Sequence, residues 1–360
     1  MKLTFYQAVI GSEPENLKNI AIPKDLQKRG AIIRSVNWLG DAVMTLPAVY
    51  KIKQSLPEDA PFIILCKKNL ASFWHSFTWV SQVIALDGKH TKRRETELIR
   101  KAKPGFAVIF PNSFGSAMDL YLKGIPLKIG RSGRGRGFML NRTLPGFYRT
   151  PGQDSNHQLR EYLELSYMAG GQGWDDNFEA AKPKVDSDKL ATLGYIDKKD
   201  TWLNIAPGAA FGPAKQWPIS HYAELANWWI SEGGKVAILG APGEEQVGEE
   251  VNKLSPESLN LVGKTSIPEL MHILAGSKFC VVNDSGAMHL AASVRAQGVA
   301  IFGSTDPFAT GPLGGHWKII WTKPECSPCL KKVCPLTENQ YHCLSSASPQ
   351  MVIEQLQSLG

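Results

Sequence analysis

Twice along this chain, short apolar runs alternate with helix-length stretches, and that repetition fixes the fold class. The first alternation runs AIIRSV (31–36), DAVMTLPAVYKIKQSL (41–56), PFIILC (61–66), VSQVIAL (80–86), FAVIFPN (106–112) and SFGSAMDLYLKG (113–124). The second starts at TWLNIAPG and continues through SHYAELANWWISEGG (220–234), KVAILGAPG, EEQVGEEVNKL, LNLVGK, IPELMHILAG, KFCVVNDSG, AMHLAASVRAQ and GVAIFGSTDP. Continuously apolar strands separated by helices imply parallel sheets covered on both faces. A chain of 360 residues also exceeds what one core usually holds. Two doubly wound α/β domains are therefore expected.

The remaining segments set the boundaries. Residues 1–30 read as an N-terminal extension, polar and irregular, with Pro14 and Pro23. The first domain spans 31–175, a charged connection 176–200, the second domain 201–345, and a final helix 346–360. KIGRSGRGRGFMLNR and the following PGFYRTPGQDSN, within 128–156, read as loop because glycine, arginine and proline dominate them. Ser220 is the expected N-cap of its helix, with Gly233 or Gly234 as the stop.

In open α/β sheets, ligands bind beyond the carboxyl ends of the strands, so the residues there are the candidates. After the first strand come Asn37, Trp38, Gly40 and Asp41; Asn112 and Ser113 follow a later one. A carboxylate beside a helix start stands out here, because strand-to-helix turns that bind phosphate use glycines and hydroxyls. In the second half, NDSGAMHLAA places Ser285 and Gly286 at a helix start, where free N–H groups favour an anion, with His289 a turn further on. Ordinary capping is the other reading. Glu244 ends the turn in AILGAPGEE, where an acid suits ribose hydroxyls or simply the helix dipole. Lys215, in FGPAKQWP, suits a diphosphate or lies in solvent. No G-x-G-x-x-G follows a strand and no G-x-x-x-x-G-K-[ST] occurs, which argues against a standard Rossmann dehydrogenase and a P-loop NTPase.

The formal net charge of +7 suggests an anionic partner. Arg131, Arg134 and Arg136 fall within six residues and suit bidentate anion capture. Interleaved aromatics of the single-strand-binding kind are missing, so nucleic acid is not expected. Cys66 and Cys280 lie in strand-like runs and read as buried. Cys326-x2-Cys329-x4-Cys334-x8-Cys343 fits no standard metal spacing well, and no cofactor is expected. No apolar run approaches a membrane span and no signal peptide is read, so a cytoplasmic protein is expected.

These motifs together resemble glycosyltransferase family 9, the bacterial lipopolysaccharide heptosyltransferases. The carriers are NWLGDAVMTLPAV, PNSFGSA with GIPLKIGRSGRGRG, PGAAFGPAKQWP, LGAPGEE, LVGKTSIPELMHILAGSKFCVVNDSGAMHLAA, IFGSTDPFATGP and the tail CSPCLKKVCP…HCL, which is like the type II branch. The resemblance covers residue 31 to the C-terminus. It implies a GT-B fold, two Rossmann-like domains facing across a cleft, the first taking the acceptor and the second ADP-heptose. It implies an inverting, metal-independent transfer of heptose to the first heptose of the inner core, on a lipid-linked acceptor at the cytoplasmic face of the inner membrane. It places the catalytic acid on Asp41, the diphosphate lysine on Lys215 and the ribose acid on Glu244. The phosphate turn falls on Asp284, Ser285, Gly286 and His289, and Thr265 falls near the adenine. Gly40, Asn112, Ser113 and the three arginines are the expected acceptor side. Another nucleotide sugar or acceptor, or a catalytically silent paralogue, is the alternative.

Overall fold

The computed structural model describes residues 10–15, 17, 19–146, 157–196 and 201–360. The described residues form two compact units, one up to Lys182 and the other from Pro183 to Gly360. The break falls inside the stretch expected to connect the domains. Residues 197–200 of that stretch, residues 147–156 of the expected loop, and residues 1–9, 16 and 18 of the N-terminal extension lie outside the described residues.

The N-terminal unit holds strands β1 (Ala31–Arg34), β2 (Phe62–Lys67), β3 (Gln82–Leu86), β4 (Phe106–Ile109), β5 (Leu127–Arg131) and β6 (Arg142–Leu144). They form one parallel sheet in the order β3-β2-β1-β4-β5-β6. The C-terminal unit repeats the plan with β7 (Trp202–Ala206), β8 (Lys235–Ile238), β9 (Leu259–Asn260), β10 (Phe279–Asn283), β11 (Gln297–Phe302) and β12 (His316–Trp321). Its order is β12-β11-β10-β7-β8-β9, again all parallel. In both sheets the winding reverses beside the first strand, between β1 and β4 and between β7 and β10. A topological switch point of this kind opens a crevice at the strand ends.

Both sheets are covered on two faces, as continuous apolar strands require. Ile32, Ile33, Ile63 and Ile64 are buried, and each contributes roughly 1.5–3 kcal/mol by leaving water. In the C-terminal unit Leu203, Ile205, Val281, Val299 and Ile301 share a core with Trp217, Tyr222 and Leu225. Val352 and Leu356 of the last helix, Pro349–Gln357, belong to that same core, so this helix is part of the domain rather than an appendage. The same holds at the other end. Within 10–30, a helix forms at Lys24–Lys28, Ile22 is buried, and Asn19 Nδ2 donates to the Gly171 carbonyl at 2.7 Å.

Several local expectations change. The helix expected at 41–56 is two helices, Leu39–Met44 and Leu46–Gln54, meeting at Thr45. Pro47 has no N–H to give the preceding turn, so it opens a second helix instead of continuing the first. Pro218, not Ser220, is the N-cap of Ile219–Ser231. The stretch expected to be loop contains β5 and β6, because Leu127, Ile129 and Gly130 pair into the sheet despite their glycine- and arginine-rich neighbours. Strand β12 was not expected at all. Its connection from β11 contains only the short helix Pro307–Thr310, so the usual strand–helix–strand signal is weak there.

The arginines at β5 are the main correction. Arg131 is 2% exposed, with Nη2 2.6 Å from Glu164 Oε2 and Nη1 donating to the Pro145 carbonyl at 2.9 Å. Arg136 is fully buried. Its Nε donates to the Arg131 carbonyl at 2.6 Å, and its Nη1 to the carbonyls of Ser113, at 3.1 Å, and of Pro111. Burial, with Arg131 and Arg134 nearby, lowers its guanidinium to about 10. A guanidinium has five donors, and here they go to backbone carbonyls and to the side chains of Ser116 and Asn112, which burial would otherwise leave unpaired. Arg131 and Arg136 therefore hold the loops together rather than reach for an acceptor. Of the three, Arg134 alone is exposed, in a left-handed conformation at φ 59°.

Candidate active site

At the end of β1 the chain turns through Ser35–Trp38 into the helix Leu39–Met44, so Gly40 and Asp41 lie in a first helical turn rather than in the turn itself. Asp41 is partly exposed there, where the helix N-terminus favours a negative side chain. The turn is fixed from beneath by Arg34. Its Nε pairs with Asp119 Oδ2 at 3.1 Å, its Nη1 donates to the Ser35 carbonyl at 2.6 Å, and both side chains are buried. Asp119 also accepts from the Thr91 N–H at 3.0 Å. Trp74 Nε1 donates to Ser35 Oγ at 3.1 Å. Sequence reading missed Arg34 and Asp119 because their pairing spans 85 positions. Beyond β4, Asn112 Nδ2 donates to Glu161 at 2.9 Å, and Ser113 caps the helix Phe114–Tyr121 by accepting from the Ser116 N–H.

The C-terminal unit gathers a denser set. Asn283, the last residue of β10, is buried and ties the strand ends together. Its Nδ2 donates to the carbonyls of Pro207 at 2.8 Å and Gly208 at 3.2 Å, and its Oδ1 accepts from the Trp217 N–H at 3.1 Å and Tyr222 Oη at 3.0 Å. The next residue, Asp284, accepts from Lys215 Nζ at 2.6 Å and from Thr305 Oγ1 at 2.6 Å. Lys215 comes from the 3-10 turn Pro213–Lys215 and lies over the Phe211 ring, 4.8 Å from its centroid. One of its three N–H donors goes to Asp284, which aims the ammonium without using all of its capacity.

Ser285 is the N-cap of the helix Gly286–Ser293, yet its hydroxyl makes no capping hydrogen bond. Among the described residues, Ser285 Oγ, His289 Nδ1 and Ser304 Oγ are buried without a hydrogen-bond partner. Buried polar atoms are rarely left so, and two of them, Ser285 Oγ and His289 Nδ1, at the start of one helix suit a polar ligand. His289 is pushed down to about 4, chiefly by burial; Asp284 pulls it up and Lys215 presses it down. Its ring is thus neutral near pH 7.

Glu244 is half-buried and opens the helix Glu245–Leu254. Its Oε2 accepts from the Ala241 N–H at 2.8 Å. The carboxylate lies over two glycines at neighbouring strand ends: a Cβ on Gly208 would meet it at 2.2–2.5 Å and one on Gly240 at 3.0 Å. This brings the ends of β7 and β8 to one acid. Thr265 is half-buried in the loop after β9, next to Ser266, which caps Ile267–Ala275 with a reciprocal Glu269 contact.

The four late cysteines are reduced and line a small cavity of about 30 Å³ with Ser304 and His342. Burial, reinforced by the other three thiols, pushes Cys343 up to about 11. Among the described residues no group of three His, Cys, Asp or Glu side chains is placed to hold a metal ion. The segment straps the loops that follow β7 and β11. The Lys332 carbonyl accepts from the Ala214 N–H at 3.1 Å, the Leu330 N–H donates to the Ser304 carbonyl at 2.8 Å, and Ser327 Oγ donates to the Gly303 carbonyl at 2.6 Å.

With this geometry in place, comparison with known proteins is specific. The profile of glycosyltransferase family 9 (heptosyltransferase) matches residues 96–340. The chain is 30% identical to lipooligosaccharide heptosyltransferase 2 of Haemophilus influenzae, across 91% of this chain and 98% of that one. It is 28% identical to lipopolysaccharide heptosyltransferase 2 of Escherichia coli K12, across 90% and 96%. Among solved structures, E. coli ADP-heptose LPS heptosyltransferase II superposes with a TM-score of 0.74 at 25% identity, covering 91% of this chain and 98% of that chain.

Proposed function

The chain belongs to glycosyltransferase family 9 and has its GT-B fold, and from that premise we propose that it is an inverting heptosyltransferase of type II. It moves L-glycero-D-manno-heptose from ADP-heptose to the first heptose of a lipid-linked lipopolysaccharide inner core. The observation that carries this reading is the set of unpartnered buried groups, Ser285 Oγ and His289 Nδ1, beside the Lys215–Asp284 pair at a helix start. That set suits a nucleoside diphosphate, and the relatives' names supply the sugar.

The N-terminal unit provides the base. Asp41 takes the proton from the acceptor hydroxyl as its oxygen attacks the anomeric carbon. The bond from that carbon to the diphosphate breaks on the opposite face, which inverts the centre. The C-terminal unit provides the donor cradle. Negative charge grows on the departing ADP, and Lys215 and the N–H groups opening Gly286–Ser293 stabilise it. Glu244 accepts from the ribose hydroxyls, and Thr265 borders the adenine. On the acceptor side, the exposed Arg134 meets the anionic groups, with Asn112 and Ser113 bordering that side after β4. The enzyme acts in the cytoplasm, at the inner face of the inner membrane. Among the described residues no helix is long and apolar enough to cross a membrane.

The decisive experiment measures ADP release from ADP-heptose with and without a heptosylated core acceptor. Acceptor-dependent release is expected; release only from a different nucleotide sugar in a donor panel overturns the substrate assignment. Lys215 supplies the charge that a divalent cation supplies elsewhere, so saturating EDTA should leave turnover unchanged. Activity lost to EDTA and restored by Mg²⁺ would refute metal independence.

Gly208→Ala tests Glu244. The new methyl overlaps the Glu244 carboxylate, which is the end of a flexible side chain and swings aside. Folding stability should barely change, while ADP affinity falls about tenfold through one lost charged hydrogen bond. Calorimetric titration with ADP checks it, and unchanged affinity would remove Glu244 from the nucleotide site.

A further inference from the structure

We propose that the exposed face of the helix Phe114–Tyr121, with Phe138 beside it, is a docking surface for an anionic lipid bilayer. Phe114 is 44% exposed, Met118 40%, Leu122 67% and Phe138 66%. Residues 114, 118 and 122 recur at intervals of four, so they share one side of the helix and its end. Phe138 joins them: its ring centroid lies 6.3 Å from Phe114 and 5.7 Å from Tyr121. Single exposed apolar residues are ordinary, but a contiguous group with aromatics at its centre marks a contact surface.

Charge identifies the occupant. The helix Arg93–Ala102 lies alongside, fastened by Arg100 Nη2 donating to the Leu122 carbonyl at 3.3 Å and Lys123 Nζ donating to Thr96 Oγ1 at 2.7 Å. Lys89, Lys92, Arg93, Arg94, Arg100 and Lys101 are all exposed there. The nearby acids offset only part of this charge: Glu95 is buried, Glu97 pairs with Arg93 at 2.8 Å, and the exposed Asp87 lies 4.0 Å from Lys68, which leaves Lys89, Lys92, Arg94, Arg100 and Lys101 in excess. An apolar ridge of phenylalanine and leucine flanked by a cationic row is the pattern that seats at a lipid headgroup boundary, where the apolar groups enter the acyl region and the cations meet phosphates. A second protein copy would bring the same cations against themselves. The helix begins directly after Ser113, at the carboxyl edge of the sheet, so this surface would seat the bilayer near the acceptor-side contacts. The proposal deepens the reading of a lipid-linked acceptor and takes its meaning from it.

The test uses the full chain and sedimentation with vesicles. Wild-type protein should pellet with vesicles containing phosphatidylglycerol and bind pure phosphatidylcholine about tenfold more weakly, with the anionic preference fading at about 0.5 M salt. The double variant Leu122→Asp, Phe138→Asp should lose about tenfold or more of its binding to both. The triple variant Arg93→Gln, Arg94→Gln, Lys101→Gln should lose only the salt-sensitive part. All these positions are exposed, and unchanged melting and ADP binding will confirm that the variants fold. Wild-type protein that stays in the supernatant, or a double variant that pellets like wild type, would overturn the proposal. So would a wild-type dimer that the double variant converts to monomer while vesicle binding persists. Transfer to a deacylated, water-soluble acceptor should be equal in all three proteins. If no protein transfers heptose, the catalytic reading fails, and the vesicle data still judge the surface.

Discussion

Asp41→Asn is expected to lower kcat by roughly 10²–10⁴, the usual contribution of a positioned general base, with ADP-heptose affinity changed by less than about twofold. Asparagine keeps the shape and can still accept a hydrogen bond, but it cannot take the proton. The acceptor hydroxyl must then attack with its proton in place or lose it to water. The substitution leaves the first turn of Leu39–Met44 and the Arg34–Asp119 pair beneath it in place, so melting should move little. Donor affinity belongs to the other unit and reads out independently. Steady-state kinetics with saturating acceptor, alongside ADP titration, separates the two. Turnover within a few-fold of wild type would take Asp41 out of the role.

Lys215→Met should lower kcat/KM by about 10²–10³, the range seen when one preorganised donor to developing charge is removed. Methionine keeps most of the length and packing over Phe211 while removing the charge. The loss should fall mainly on kcat, because charge on the leaving diphosphate is greatest in the transition state. Asp284 is left buried with the Thr305 hydroxyl still donating to it but no cation beside it, so a moderate drop in melting temperature is also expected. Lys215→Arg restores the charge in a planar fork that does not match the single oxygen of Asp284, and recovery should be partial. A leaving group of lower basicity should rescue the methionine variant more than the wild type. A variant with normal kcat and only a raised donor KM would show that the lysine binds ground state and transition state alike.

How much of this was legible beforehand follows from the range of each interaction. The two alternations of strand and helix, Ser285 at a helix start and Asp41 just beyond the first strand were readable because periodicity and capping act over a few residues. The resemblance to family 9 rested on such local motifs and was upheld across more than nine-tenths of the chain. Strand β12 escaped because its signal depended on pairing with β11 rather than on its own connection.

The sequence by itself determined the repeated parallel plan and the strand ends where chemistry gathers. Tertiary structure decided what each polar side chain does there. Arg131, Arg134 and Arg136 are alike in sequence, yet two are buried against carboxylates and carbonyls and one meets solvent. Lys215 could have been any surface lysine until Asp284, 69 positions away, fixed its ammonium. The late cysteines follow no standard metal spacing, and their segment's contacts with Ala214 and Ser304 could not be read from that spacing. The physical reason is common to all three. Burial and partner choice are set by groups that meet only when the sheet closes, and desolvation then makes each unpaired polar atom costly enough to dictate where it must point.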